Sequence, residues 1–500
     1  MAGTPVRGLV QGIRRSKRKS VVAGSVAAVL IGAAVTVQVL VAQALIVESG
    51  GSCGSGGSRG VSHGACPEGI GWLFLISFVP LFGLVPLALW GVAAAGRKAG
   101  CLGGAVLMLA GIWPGALLFR LGHGDSLDVA WSVPRVKGDI TAQGFWFGDG
   151  LAVRARIDGL SAYDTATGAP KWTLPVPGRE VLCAMSRGTD SGVGVIAYGP
   201  EGQPCGHFVG VDLATGAKAW DRVLPGGEFL SSGRDAGSVA AGGGTAVMRL
   251  GQGARLTGVA LADGRDRWTA AAPERCHYEK VSAGPDQIVG LLRCTDALPE
   301  LVALEPASGK VAWRTPVTSE SPVAAVDLYT ASPAVAKVRE SGARGRTMIQ
   351  AFDRTGRATI VHTWSDDHDL TLSERGFGAT PLRDFAVTGD MIVGATRVSN
   401  KDGLTAFRLS DGARLWLTRL DHGLEALTVA GDALIVLGDG GAVPDLTSVA
   451  LATGKKTRLG GFPLRHLADK VALSAEPAGR YTLVAESTNP FYDALVGVRP

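Results

Sequence analysis

Four stretches of the chain carry one pattern: Ala162-Tyr-Asp-Thr-Ala-Thr-Gly168-Ala-Pro-Lys-Trp172, Gly210-Val-Asp-Leu-Ala-Thr-Gly216-Ala-Lys-Ala-Trp220, Gly258-Val-Ala-Leu-Ala-Asp-Gly264-Arg-Asp-Arg-Trp268 and Ala303-Leu-Glu-Pro-Ala-Ser-Gly309-Lys-Val-Ala-Trp313. A fifth copy runs from Ala406 through Gly412 to Trp416. Two more are degenerate: one is a residue shorter before Gly356, and one has Arg458 where the others have Trp. The turn glycines, 168, 216, 264, 309, 356, 412 and 454, lie 42–56 residues apart.

Each copy reads as a short alternating strand, a tight turn and a second strand. The strand ends in Asp or a substitute. The Gly frees the turn to take positive φ, and the Trp falls four residues later on the next strand. Two further β-rich runs precede each copy, so one unit holds four strands, as a propeller blade does. Gly and Pro interrupt the chain too often for helices here. The Trp residues are expected to pack between blades.

Seven turns are visible, and a last strand, 492–498, ends the chain without its turn. Asp128-Val-Ala-Trp131-Ser-Val has the character of the strand that follows a turn. The two chain ends would complete one blade together and remove the exposed sheet edges. The expected count is eight, or seven if 351–365 is an insertion.

Residues 127–500 resemble the pyrroloquinoline-quinone-type repeat of the BamB-like and quinoprotein-like eight-bladed β-propeller superfamily. The resemblance rests on the Ala-x-Asp-x-x-x-Gly-x-x-x-Trp pattern, held with substitutions at five of the seven turns. That superfamily includes quinoprotein dehydrogenases, a non-enzymatic outer-membrane assembly scaffold and extracytoplasmic sensor-like domains. A fold shared so widely does not set the function.

The first 126 residues differ in kind. They carry a net charge of +7, against −2 for the rest. The near-neutral propeller region offers no basic footprint for nucleic acid. The basic residues cluster at Arg14, Arg15, Lys17, Arg18 and Lys19, just ahead of an apolar run. Three uncharged runs follow, 21–47, 70–96 and 99–119, each of the roughly 20 residues a membrane helix needs. Trp72, Trp90 and Trp113 lie toward their ends, where indole favours the headgroup level.

The Lys/Arg bias places residues 1–20 and the Arg97-Lys98 turn in the cytoplasm, and the loop 48–69 and residues 127–500 outside. A cleaved signal peptide ending near Ala42-Gln43-Ala44 is the competing reading, but the apolar run before it exceeds the usual 7–15 residues. The small residues Ala23, Gly24, Ala27, Ala28, Gly32 and Ala33 would allow close contact with another helix.

Six of the seven cysteines fall outside on this topology, as sequence-close pairs: Cys53 with Cys66, Cys183 with Cys205, and Cys276 with Cys294. In an oxidising compartment these read as structural disulfides. Cys53, His63 and Cys66 match no zinc spacing well.

A quinoprotein would hold its quinone and Ca²⁺ on the ring axis beside a catalytic carboxylate. Members of that enzyme class commonly carry adjacent cysteines there, and this chain has no Cys-Cys. The run from His362 to Asp369 is rich in His and Asp but lacks the spacing of a calcium loop and reads as an exposed acidic loop. No Gly-x-Ser-x-Gly elbow occurs, and Gly242-Gly243-Gly244 lacks the Lys of a phosphate-binding loop.

The expected protein is therefore all-β, an eight-bladed propeller of four-stranded blades preceded by three transmembrane helices. Its expected role is that of a membrane-anchored, extracytoplasmic, non-catalytic binding or scaffold module of the plasma membrane. No cofactor, metal or catalytic residue is expected, and the expected partners are the lipid bilayer and another protein. The alternative is an oxidoreductase using pyrroloquinoline quinone and Ca²⁺.

Overall fold

The computed structural model describes residues 6–49, 70–95, 97–123, 127–135, 140–225, 237–364, 370–398, 401–439, 444–462, 470–486 and 493–500. The described strands form nine antiparallel sheets, eight of them arranged as blades and the ninth a two-stranded hairpin. Blades 1 to 7 span 142–175, 180–223, 239–271, 276–316, 323–363, 370–419 and 423–461. Blade 8 takes three strands from 471–499 and its fourth, Asp128–Val133, from the start of the array. The register runs from Asp128 opposite Arg499 to Val133 opposite Leu495. Blade 5 is complete, so the described part of 351–365, up to Trp364, belongs to a blade and is not an insertion.

Strand burial explains the layout. Fourth strands such as Lys218–Val223 alternate exposed and buried positions, as an outer edge does, whereas second strands such as Thr245–Leu250 are buried throughout. First strands of adjacent blades touch one another and line the axis. No single core exists. Eight apolar clusters form, one at each interface between neighbouring blades, including the one that closes blade 8 on blade 1.

The repeat motif builds these interfaces. Each turn Gly sits at positive φ, 72° at Gly168 and 71° at Gly216. Its missing Cβ leaves room for the Trp of the preceding blade: Trp131 lies on Gly168, Trp172 on Gly216, Trp220 on Gly264, Trp268 on Gly309, Trp313 on Gly356 and Trp416 on Gly454. Most of these indoles also donate to the carbonyl three residues before that Gly. Trp172 Nε1 reaches Leu213 O at 2.8 Å, Trp220 reaches Leu261 at 2.7 Å, and Trp416 reaches Leu451 at 2.7 Å. Blade 8 has no such turn, because its third and fourth strands come from opposite ends of the chain. Blade 7 has nothing for a Trp to cover, and Arg458 stands at that place beside Asp445.

The membrane region departs from the expected three spans. It forms α1 (Val6–Ser49), α2 (Ile70–Gly83), α3 (Val85–Ala95), α4 (Arg97–Ala110) and α5 (Ile112–His123). Two segments are long and apolar enough to cross a membrane, Val21–Ile46 and Leu102–Phe119. The expected span 70–96 is divided at Leu84, between Pro80 and Pro86, whose missing N–H groups cost the helix two hydrogen bonds.

Helix α1 runs deeper than expected and takes in the basic cluster. The small residues of its apolar run are used within the chain. A Cβ on Gly32 would strike Met108 O, and one on Gly111 or Gly115 would strike the backbone at Val29 or Ala33. Gln38 Nε2 donates to Ser77 Oγ at 2.7 Å, tying α1 to α2. Large apolar side chains, Val26, Phe74, Val79, Phe82, Leu102 and Leu109 among them, face outward from this bundle.

Candidate functional site: the closed axis of the ring

The longest interval between turn glycines, from Gly356 to Gly412, holds a segment that leaves the blade edge and crosses the axis. It begins with Leu370–Thr371 paired to blade 6. Tyr329 Oη and Lys337 Nζ of blade 5 both donate to Leu372 O at 3.0 Å. Glu374–Arg375 then pairs with Leu382–Arg383 as a small hairpin.

The hairpin tip lies between blades 8 and 1. Phe377 is fully buried there, its ring edge-on to Phe145 at 5.0 Å. Its N–H donates to Glu486 Oε1 at 3.1 Å, and the Ala379 N–H donates to Gln143 O at 3.0 Å. Arg375 Nη2 reaches Glu425 O of blade 7 at 2.7 Å. A stretch of fifteen residues, 370–384, is thus fastened to blades 5, 6, 7, 8 and 1.

A charged cluster fixes its base. Arg187, which follows the first strand of blade 2, donates through Nη1 to Leu328 O at 3.0 Å on blade 5 and through Nη2 to Glu374 Oε2 at 3.3 Å. Arg383 Nε donates to the other Glu374 oxygen at 2.9 Å. Burial, and then the neighbouring Arg187 charge, lowers the Arg383 guanidinium to about 10. Burial pushes the Tyr329 phenol far above its usual value. Burial opposes ionisation of Asp327 as well, but Lys280 at 3.0 Å and Lys337 at 3.4 Å hold its carboxyl below the usual range. Two arginines sharing one carboxylate leave an excess of positive charge where desolvation is costly.

Beside the hairpin lies a cavity of about 250 Å³. Its walls are Phe145 and Phe147 of blade 1, Leu382, Arg383 and Phe385 by the hairpin, Glu425 to Thr428 of blade 7 and Val471 to Leu473 of blade 8. Arg383 stacks over the Phe385 ring at 5.1 Å.

A quinone cofactor does not fit this arrangement. It would need the axis that 370–384 fills, and cations for its three carboxylates, whereas Arg187 and Arg383 are already committed to Glu374. Among the described residues, no group of three or more His, Cys, Asp or Glu is placed to hold a metal ion.

The sequence-derived sites lie elsewhere. Cys183 is joined to Cys205 within blade 2, and Cys276 to Cys294 across the first two strands of blade 4, where they are register partners. Cys53 and Cys66 lie outside the described residues. The turn glycines and Trp residues occupy the blade interfaces and none of them lines the cavity beside the hairpin. His362 sits on the outer strand of blade 5 with its ring 4.7 Å from that of Phe407, and 365–369 lie outside the described residues. Arg187, Tyr329, Glu374, Phe377 and Arg383 went unmarked in the sequence, whose one trace of them was the long interval itself.

Residues 125–287 match the family described as outer membrane protein assembly factor BamB. The described strands form an eight-bladed β-propeller that is similar to BamB-like repeats over residues 125–287, preceded by an apolar helix consistent with a membrane anchor.

Among solved structures, BamB from Moraxella catarrhalis is similar at 16% identity, covering 74% of this chain and 96% of its own, with a TM-score of 0.41. Saccharomyces cerevisiae Sqt1 is similar at 12% identity over 72% and 95%, with a TM-score of 0.42. A europium-containing methanol dehydrogenase is similar at 12% over 71% and 84%, with a TM-score of 0.39. No curated protein matches the chain.

Proposed function

We propose that this chain is a membrane-anchored, extracytoplasmic propeller of the plasma membrane that binds or scaffolds another protein and performs no catalysis. The observation that carries the reading is the filled axis: the place where a quinoprotein would hold its cofactor is occupied by the chain's own residues 370–384. What remains for recognition is the set of loops at the two rims and the outer blade edges, presented by a rigid ring.

The outward topology requires three crossings. Helices α2 and α3 supply the second as one bent unit. The Leu84 N–H donates to Pro80 O at 3.1 Å and the Ala88 N–H to Leu84 O at 2.9 Å, so hydrogen bonding continues through the break. From Ile70 to Ala95 such a unit reaches about 39 Å at 1.5 Å per residue, enough for a core about 30 Å thick. The two cystines of the ring agree with an oxidising side.

The test has two parts. Membrane-impermeant thiol labelling of intact cells, before and after reduction, is expected to find Cys276 and Cys294, the less buried pair, oxidised and reachable only from outside. Free thiols reached only after lysis would overturn the topology. Titration of the full-length protein with pyrroloquinoline quinone and Ca²⁺ is expected to give no change in quinone absorbance or thermal stability. A stabilising shift needing both would restore the oxidoreductase reading, and its absence directs effort to crosslinking in the native membrane.

A further inference from the structure

The segment 370–384 crosses the axis near the start of the first strands. It is bonded to Gln143 in the strand that begins at Ala142 and to Glu425 in the strand that begins at Gly423. Those strands run on past it and leave the cavity of about 250 Å³, walled by Phe145, Phe147, Phe385, Leu427 and Leu473. These five side chains belong to four different interface clusters. Each packs within its own interface, and the space between the four clusters is left open.

The charged residues on the wall favour neither sign of ligand. Arg383 gives its Nε to Glu374 and its face to the Phe385 ring at 5.1 Å, and its Nη2 is closed off by surrounding protein. The Glu425 carboxylate stands on the same wall and is engaged by Arg375 at 3.8 Å. An anion would meet Glu425. A cation would meet Arg383, which already covers the Phe385 face that a cation would use. Either would also exchange water for phenyl and aliphatic groups with no counter-charge to spare.

Shape and size narrow the ligand further. Phe145 and Phe147 lie 5.4 Å apart, tilted at 55°, and with Phe385 they offer ring faces and edges to a flat apolar guest. An apolar cavity of roughly 150 Å³ holds benzene, so 250 Å³ accommodates one substituted ring or two fused rings.

We propose that this cavity is a binding site for a neutral aromatic molecule of one or two rings, held by Phe145, Phe147, Phe385 and Leu427 and not by charge. The site belongs to the ring itself and depends neither on the side of the membrane the ring faces nor on a protein partner. A guest there bridges walls from blades 1, 6, 7 and 8, so occupancy is expected to raise the thermal midpoint.

The test is calorimetric titration of the full-length protein in detergent micelles, with the heats of empty micelles subtracted, using three probes of one size: benzyl alcohol, benzoate and benzylammonium. Benzyl alcohol is expected to bind saturably at one per chain and at millimolar concentration or below, and to raise the thermal midpoint. Both charged probes are expected to bind at least about tenfold more weakly, the cost of stripping water from a charge that finds no partner. Leu427→Trp, which fills the cavity from the blade 7 wall, is expected to abolish binding of benzyl alcohol in the same micelles. If Leu427→Trp does not fold, the stoichiometry and the order of the three probes on the wild type still decide. No saturable binding of benzyl alcohol, a charged probe that binds as tightly, or binding that survives Leu427→Trp would each overturn the proposal.

Discussion

Gly264 and Trp220 show how little space a blade interface leaves to single residues. A Cβ on Gly264 would lie 2.8 Å from the Trp220 ring, and the residue sits at φ 70°. Gly431 has nearly the same φ, 59°, with nothing within 4 Å. Gly431→Ala should therefore cost only the backbone strain of about 1–2 kcal/mol, and Gly264→Ala clearly more. Trp220→Ala, which empties a buried indole site, should cost about 3–5 kcal/mol. Denaturant unfolding of the full chain followed by circular dichroism checks the order.

Glu340 makes a second residue-scale case. Its carboxylate accepts from Ser319, from the Glu320 and Arg346 N–H groups and from the Arg346 guanidinium, and these bonds, with Arg346 first, lower it to about 2. A carboxyl depressed in the fold adds stability above its unfolded value near 4.5 and loses it as pH falls toward about 2. Stability should fall across that window in the wild type and much less in Glu340→Gln. Equal slopes in the two would show that the loop does not depend on this charge.

At the scale of elements, 370–384 does what no blade does, because it binds partners on several blades at once. Replacing 373–384 by a short Gly/Ser link removes Phe377 from its site beside Phe145 and takes one hydrogen bond each from Glu486 and the Gln143 carbonyl. The loss of a buried Phe alone is worth about 3–5 kcal/mol. Hydrogen exchange should quicken in the first strands of blades 1 and 8, 142–148 and 471–476, while blades 3 and 4, which the segment does not touch through these bonds, should keep their rates. Unchanged exchange in blades 1 and 8 would mean that the ring is held by its interfaces alone.

For the whole molecule, closure is the property that matters. Strand Asp128–Val133 covers the outer edge of the last strand and brings Trp131 onto Gly168 of blade 1, with Nε1 donating to Thr165 O at 3.1 Å. Replacing 128–133 by a Gly/Ser segment of equal length should expose that edge and loosen the seam between blades 8 and 1. Limited proteolysis is then expected to begin in 471–500, and size-exclusion profiles should show association through the free edge. A variant as protease-resistant and monodisperse as the wild type would place the closing force elsewhere.

The sequence by itself determined the blade, because the blade is local: a turn that needs Gly, an Asp-type residue before it and a Trp four places on recur within one unit. It also pointed to the joining of the two chain ends, since an unfinished last unit and a lone Trp131 strand can satisfy each other by pairing, but the choice of eight blades over seven came from the structure, where blade 5 is complete. The cystine partners Cys276 and Cys294 were legible for the same reason, as they flank one hairpin.

Two things were decided only by tertiary structure. The middle apolar run passes a composition test and Pro80 and Pro86 mark it for a kink, but that it divides into two helices at Leu84 is seen only in the structure. The axial site was invisible because its residues, Arg187, Tyr329, Glu374, Arg383 and Glu425, are far apart in the chain, follow no period and meet only when the ring closes. Periodic patterns report contacts between neighbours in sequence, whereas charge compensation at the axis depends on distances through space.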